Sequence, residues 1–169
     1  MRSVAARVFW AFVVVYAVLV VGTFLAMPTR VPQHWSGSGV ADRWGSRWES
    51  LAMLVLLGVL MVAIFGFLAG RLPLTSPWVN LPHKDYWTTP ERLPQARAML
   101  RRDLHVLGAI VFVLLCSIPP TMLVASRAAD SRLPAWSVVV MLASLVAVVG
   151  YAAWMVLGRW RPPAGVGHR

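Results

Sequence analysis

Residues 51–68 read Leu-Ala-Met-Leu-Val-Leu-Leu-Gly-Val-Leu-Met-Val-Ala-Ile-Phe-Gly-Phe-Leu. Twelve of them are Leu, Val, Ile or Phe, and none is charged. At the centre of a helix those twelve favour a bilayer by about 4–7 kcal/mol. Lipid offers no partner for an open backbone, so a single segment of this kind must be an α-helix.

The pattern repeats on both sides of this stretch. Charge-free runs of 22, 21, 23 and 26 residues separate Arg7 from Arg30, Glu49 from Arg71, Asp103 from Arg127 and Arg132 from Arg159. A crossing takes about 20 apolar residues over a hydrocarbon core of ~30 Å, so all four runs are long enough. The predicted spans are 8–27, 51–69, 104–125 and 135–157, with an outer loop at 28–50 and an inner loop at 70–103. The 169 residues thus read as a single all-α domain of four transmembrane helices. Alternating segments of about ten residues, the mark of a membrane barrel, are absent.

Composition agrees. The chain is 59% hydrophobic and 13% charged, with a mean hydropathy of +0.67. A soluble domain carries roughly 25% charged residues. Disordered, collagenous and disulfide-stapled classes are excluded on the same grounds. The first span reads as a retained helix, because its apolar run exceeds the usual 7–15 or so residues of a signal and Thr23-Phe24-Leu25-Ala26 is a poor cleavage site. Neither Met1-Arg2 nor Gly167-His168-Arg169 is a lipidation motif.

Eleven of the 16 Lys and Arg residues fall in the N-terminus, the middle loop and the C-terminus, and five in the other two loops. The positive-inside rule then predicts both termini in the cytoplasm. Trp10, Trp78, Trp154 and Trp160 lie near the inner ends of the spans, and Trp48 and Trp136 near the outer ends, as headgroup-level anchors do. The net charge of +10 is read as topology and contact with anionic lipid rather than as nucleic-acid binding. The lipid bilayer is the expected partner. Cys116, the lone cysteine, has no internal disulfide partner and says nothing about redox compartment.

No span holds a mid-membrane Asp, Glu, Lys or Arg, which argues against a coupled transporter and an intramembrane protease. His105 reads as an interfacial residue at the start of the third span. The expectation is a non-enzymatic protein without cofactor or metal. Gly66/Gly70, Gly22/Ala26 and Ala143/Ala147 have the spacing of close helix packing, either inside the bundle or along a homo-oligomer seam. Pro119-Pro120 should kink or break the third span, with Ser117 and Thr121 placed to satisfy the freed carbonyls. A static kink and a hinge are both compatible with that reading.

The outer loop is long for a connection between two helices. Pro28 and Pro32 favour an extended start and Ser36-Gly37-Ser38-Gly39 is turn chemistry. Trp35, Trp44 and Trp48 are expected to fold back over the helix ends as a compact cap. His34, Asp42 and Glu49 are the residues there that can hold a metal or ligand, although their spacing fits no metal motif. In the inner loop, Thr89 is the expected N-cap of a helix with Pro90 in its first turn. Leu93, Ala96 and Leu100 recur at helical spacing among Arg97, Arg101 and Arg102, which reads as a short amphipathic helix on the inner membrane surface. Asp85 should pair with one of those arginines, and Glu91 with Lys84 or with the helix N-terminus. The segment is either a salt-bridged cytoplasmic cap or a docking surface for a protein partner.

At these two loops the chain resembles the bacterial membrane proteins of the domain of unknown function 1648 family. Their outer signature has the form L-P-x-x-x-P-x-H-[FW]-x-x-x-G-x-x-D-x-[WY]-x-S-K. Pro28, Pro32, His34, Trp35, Gly39, Asp42, Trp44 and Ser46 match it. Met27 stands for the leading Leu and Arg47 for the final Lys. The inner segment is similar to a second motif, N-x-P-N-K-[DE]-Y-W followed by P-E-R. Asn80, Pro82, Lys84, Asp85, Tyr86, Trp87, Pro90, Glu91 and Arg92 match, and His83 stands for the second Asn. The resemblance implies an inner-membrane protein with no established enzymatic activity. It also implies kinship with the N-terminal part of Sdp-type immunity proteins, which guard a cell against its own toxin and signal by capturing a repressor at the membrane. On that footing an outer cap would sense something and couple to the Lys-Asp-Tyr-Trp segment. The alternative is an accessory subunit of a larger transport or envelope complex.

Overall fold

The computed structural model describes residues 3–67 and 70–163; Arg2, Leu68, Ala69, Gly167, His168 and Arg169, which enter the readings above, lie outside the described residues. Four helices are long and apolar enough to cross a membrane. They are α1 (Val4–Ala26), α2 (Arg47–Val62, prolonged by a π turn over Ala63–Phe67), α4 (Leu93–Arg127) and α5 (Ala135–Trp154, prolonged by a π turn over Met155–Arg159). The chain is a multi-pass membrane protein, mostly helical.

Two features depart from the expected all-α plan. The loop at 28–50 holds an antiparallel hairpin, β1 (Arg30–Trp35) with β2 (Ala41–Ser46). Pro32 is tolerated because a two-stranded sheet has only edge strands. The loop at 70–103 is shorter than expected. Besides the one-turn helix α3 (Lys84–Trp87), it gives up its last eleven residues to α4, which begins at Leu93. The amphipathic segment is therefore the start of α4 and not a separate surface helix. Its N-cap is Arg92 rather than Thr89, whose carbonyl accepts from the N–H groups of Arg92 and Leu93 at 3.1 and 2.9 Å. Pro94 occupies the first turn, where its missing N–H costs no bond.

At 35 residues α4 is about 52 Å long, well beyond the ~30 Å hydrocarbon core. It is also the axis of the bundle, packing along α1 and against α5, with α2 and β1 on its flanks. Phe112 of α4 sets its ring edge-on to Phe9 and to Tyr16 of α1, each at 5.6 Å. The Tyr16 hydroxyl donates to the Leu54 carbonyl of α2 at 2.7 Å. Two glycines permit these approaches. A Cβ on Gly58 would lie 2.6 Å from the Tyr16 ring, and one on Gly108 would lie 2.7 Å from Phe65 Cβ and 2.8 Å from the Phe9 ring. Gly66 of the expected small-residue pairs packs near Phe9 and Trp10, whereas a Cβ on Gly22 or Gly70 would meet no other described part of the fold within 4 Å, and Ala26, Ala143 and Ala147 are exposed. Only part of that pattern is internal packing.

Pro119-Pro120 does not break α4, which is helical through Arg127. The carbonyls that lose their donors are those of Leu115 and Cys116, four residues back. Ser117 and Thr121 do not serve them. Their hydroxyls donate to Leu114 and Ser117 carbonyls, each at 2.7 Å, and so reinforce the neighbouring turns instead.

Candidate functional site

The residues of the two loops form a cap at each end of the bundle. At the hairpin end, Val31 and Pro32 are buried against the helices, which seats β1 on the bundle. The register sets Pro32 opposite Trp44 and Trp35 opposite Ala41, with irregularities around His34. Gly39 closes the turn with φ +77, a conformation glycine adopts freely. The hairpin is then tied to the loop between α4 and α5. The Trp35 indole donates to the Ser131 carbonyl at 3.1 Å, Val40 pairs with Arg132, and the Leu133 N–H donates to the Gly39 carbonyl at 2.9 Å. Beside it, Arg127 at the end of α4 donates to the Ala26 carbonyl at the end of α1, 2.9 Å away. A cation there suits the negative end of the α1 dipole.

Trp35 and Trp44 are half-buried, but Trp48 is 61% exposed and rests beside Phe24, so only two of the three tryptophans belong to the cap. Trp48 projects from the first turn of α2 rather than from the hairpin, which is why it escapes. Pro28 is exposed at the exit of α1. His34 Nδ1 and Asp42 Oδ1 are 2.6 Å apart on the exposed side of the hairpin. Glu49 does not join them. Its carboxylate accepts from the Ser46 N–H at 2.7 Å while the Ser46 hydroxyl accepts from the Glu49 N–H at 3.1 Å, a reciprocal cap that starts α2. Among the described residues no three His, Cys, Asp or Glu side chains converge.

At the opposite, basic end the inner motif folds around a small core of Leu74, Leu81, Trp87, Ala96 and Trp160. Asn80 lies in the irregular approach to α3 and Pro82 in the turn that opens it. The Lys84 ammonium donates to the carbonyls of Ser76 and Val79 and closes that approach into a loop. His83 sits in the left-handed region at φ 52. Asn tolerates that region best among residues with side chains, and His is tolerated too. The Arg92 guanidinium lies over the Tyr86 ring at 4.1 Å. Trp87 meets Trp160 edge-on and donates from its indole to the Trp160 carbonyl at 2.9 Å.

The expected acid pairings are corrected. Asp85 is exposed and makes no ion pair with the described residues; Arg101 and Arg102 face a cleft toward α1 instead. Glu91 is not held by Lys84, which is engaged with backbone carbonyls. A hydrogen bond from its own backbone N–H keeps its carboxyl below the usual range.

The strongest polar constellation is one the sequence reading missed. Asp103, fully buried in α4, accepts from Arg159 Nε at 2.7 Å, from the Tyr151 hydroxyl at 3.0 Å and from the Trp160 indole at 3.1 Å. Its three partners come from the last helix, its π turn and the residue that follows it, 48–57 residues away. In the sequence Asp103 looks like the charge that ends a loop. A Tyr and an Arg-Trp pair at the end of the last span were the only available hint.

Residues 11–59 match the family model described as Domain of unknown function (DUF1648). The matched stretch runs over most of α1, the hairpin and most of α2, the segment that carries the outer motif. The match ends before the inner motif. No curated protein and no solved structure matches the chain.

Proposed function

We propose that this multi-pass protein is a non-enzymatic sensor of the bacterial inner membrane, its hairpin outside and its Lys84–Arg92 cap in the cytoplasm. The observation that carries this reading is the reach of α4. One unbroken helix touches β1 near its end and holds the last helix through Asp103 near its start. A ligand that shifts the hairpin therefore pulls on the same rod that anchors the opposite cap. Asp85 and Glu91 are exposed acids of that cap, and a cytoplasmic protein partner would read them. Immunity-type signalling is one form such an output takes.

Trp35→Phe tests the coupling, since it removes the indole donor and keeps most of the ring. Hydrogen exchange in lipid nanodiscs should rise in the hairpin and in residues 128–134, and also in residues 76–92 at the far end. Faster exchange confined to the hairpin end would mean that the two caps are independent. Orientation is tested separately. A reporter inserted at Thr88 should read cytoplasmic and one at Ser38 outside; cytoplasmic access to Ser38 would reverse the assignment.

A subunit of a larger complex is the second reading. The apolar, exposed length of α5 favours it, with Val139, Leu142, Leu145, Val146 and Val149 all facing outward. It requires a stable complex in mild detergent that survives the Asp85→Asn, Glu91→Gln double change, whereas the sensor's partner is lost with those acids.

A further inference from the structure

Two clefts flank α1 where it meets the start of α4, and they share Ser3 and Arg102. The first, of about 700 Å³, is lined by Arg101, Arg102, His105 and Trp10. His105 is 6% exposed, and its Nδ1 is buried without a hydrogen-bond partner among the described residues. Among the described residues no Asp or Glu lines either cleft. The second, of about 640 Å³, is an apolar groove over Val8, Phe12, Val106, Ile110 and Val113. From Arg102 to Val113 the groove follows eleven residues of helix, about 16 Å. That is close to half of the ~30 Å hydrocarbon core, the depth of one leaflet.

We propose that these two clefts form one site for an anionic phospholipid, with its phosphate on Arg101 and Arg102 beside His105 and one acyl chain along the groove. The charge and the length are both needed for this assignment. Two arginines without a facing acid select a phosphate, and guanidinium groups suit its oxygens. A free phosphate would leave the adjoining groove unused. A zwitterionic lipid would bring its own cation toward Arg101 and Arg102. Basic pockets between helices at a membrane surface bind anionic headgroups on these grounds. The site lies at the basic end and does not depend on which side of the membrane that end faces. It also does not depend on the sensing role.

The test is native mass spectrometry of delipidated protein in detergent, titrated with dioleoyl-phosphatidylglycerol, dioleoyl-phosphatidylcholine, dihexanoyl-phosphatidylglycerol or inorganic phosphate. One dioleoyl-phosphatidylglycerol should be retained in preference to the choline lipid. The Arg101→Gln, Arg102→Gln double variant should bind it about thirtyfold more weakly, from roughly 1 kcal/mol for each cation. Arg97→Gln, on the same helix but outside both clefts, should bind as the wild type does. The short-chain lipid should bind weakly, because it cannot fill the groove. That comparison and the headgroup comparison use the unaltered protein, so they decide the matter even if the double variant fails to fold. Equal retention of both headgroups, or a double variant that binds normally, would overturn the proposal. Inorganic phosphate binding as tightly as the long-chain lipid would identify a soluble phosphate as the ligand and overturn it too.

Discussion

Asp103→Ala should lower the stability of the protein by about 3–5 kcal/mol, the scale for stripping one partner from a buried ion pair. The carboxylate has no water to replace it, since Asp103 is fully buried. Its loss strands the Trp160 indole, which is itself nearly buried, and the Tyr151 hydroxyl. Arg159 remains about one-fifth exposed and can turn toward the headgroups, which keeps the loss toward the lower figure. The damage should not stay local. α5 packs chiefly on α4, and much of its length faces lipid, so this cluster is its main polar anchor. Release of Trp160 also removes the carbonyl that Trp87 uses. In detergent the unfolding midpoint should fall by about 10 °C. Limited proteolysis should open sites near Arg159 and in residues 76–92 together. Tyr151→Phe removes one hydrogen bond and should cost only about 1 kcal/mol. A midpoint unchanged in Asp103→Ala would show that the last helix is held by something else.

Gly108→Leu should be comparably severe, for a different reason. Three helices converge on this glycine, and an added Cβ meets Phe65 Cβ at 2.7 Å and the Phe9 ring at 2.8 Å. Phe9 cannot swing aside, because it is fully buried and stacked edge-on with Phe112. Relief therefore means moving α1 or α2 away from α4. Overpacking costs about 1–3 kcal/mol, and the absence of a movable neighbour puts this site at the top of that range. Gly22→Leu is the matched control. A Cβ there would meet no other described part of the fold within 4 Å, and leucine is the better helix former by up to about 1 kcal/mol. Thermal unfolding of the two variants should differ in sign. If Gly108→Leu melts like the wild type, the three helices do not meet as closely as described.

This contrast shows why some of the fold is legible in the chain and some is not. The four spans follow from lipid's demand on the backbone, which any charge-free run of sufficient length must meet. The small-residue spacing at Gly22 and Ala26 satisfies the same pattern as a packed pair, yet both face outward. Gly58 and Gly108, which do permit contact, stand in no such pair. What a glycine faces is set by helix rotation, and that is a property of the whole bundle. The hairpin was masked by Pro32, which demotes a strand in any local reading, while the capping box of Ser46 and Glu49 was written out in sequence at its full spacing. Asp103 was hidden because its partners lie in another helix. His83, by contrast, stands where the resemblance has Asn, and the left-handed backbone accounts for that exchange.

The length of α4 has a mechanical consequence. A helix of about 52 Å cannot shorten to suit a bilayer, so it accommodates a thinner or thicker one by changing its tilt. Residues 93–103 continue the rod beyond its charge-free run by about 16 Å. Rotating such an arm through about 10° moves its tip roughly 3 Å, about two residues of helical rise. The cap packed around Ala96 travels with that tip. A change in bilayer thickness that altered this tilt would therefore be expressed as lateral displacement at one face of the protein, with no moving part other than the angle of a single helix.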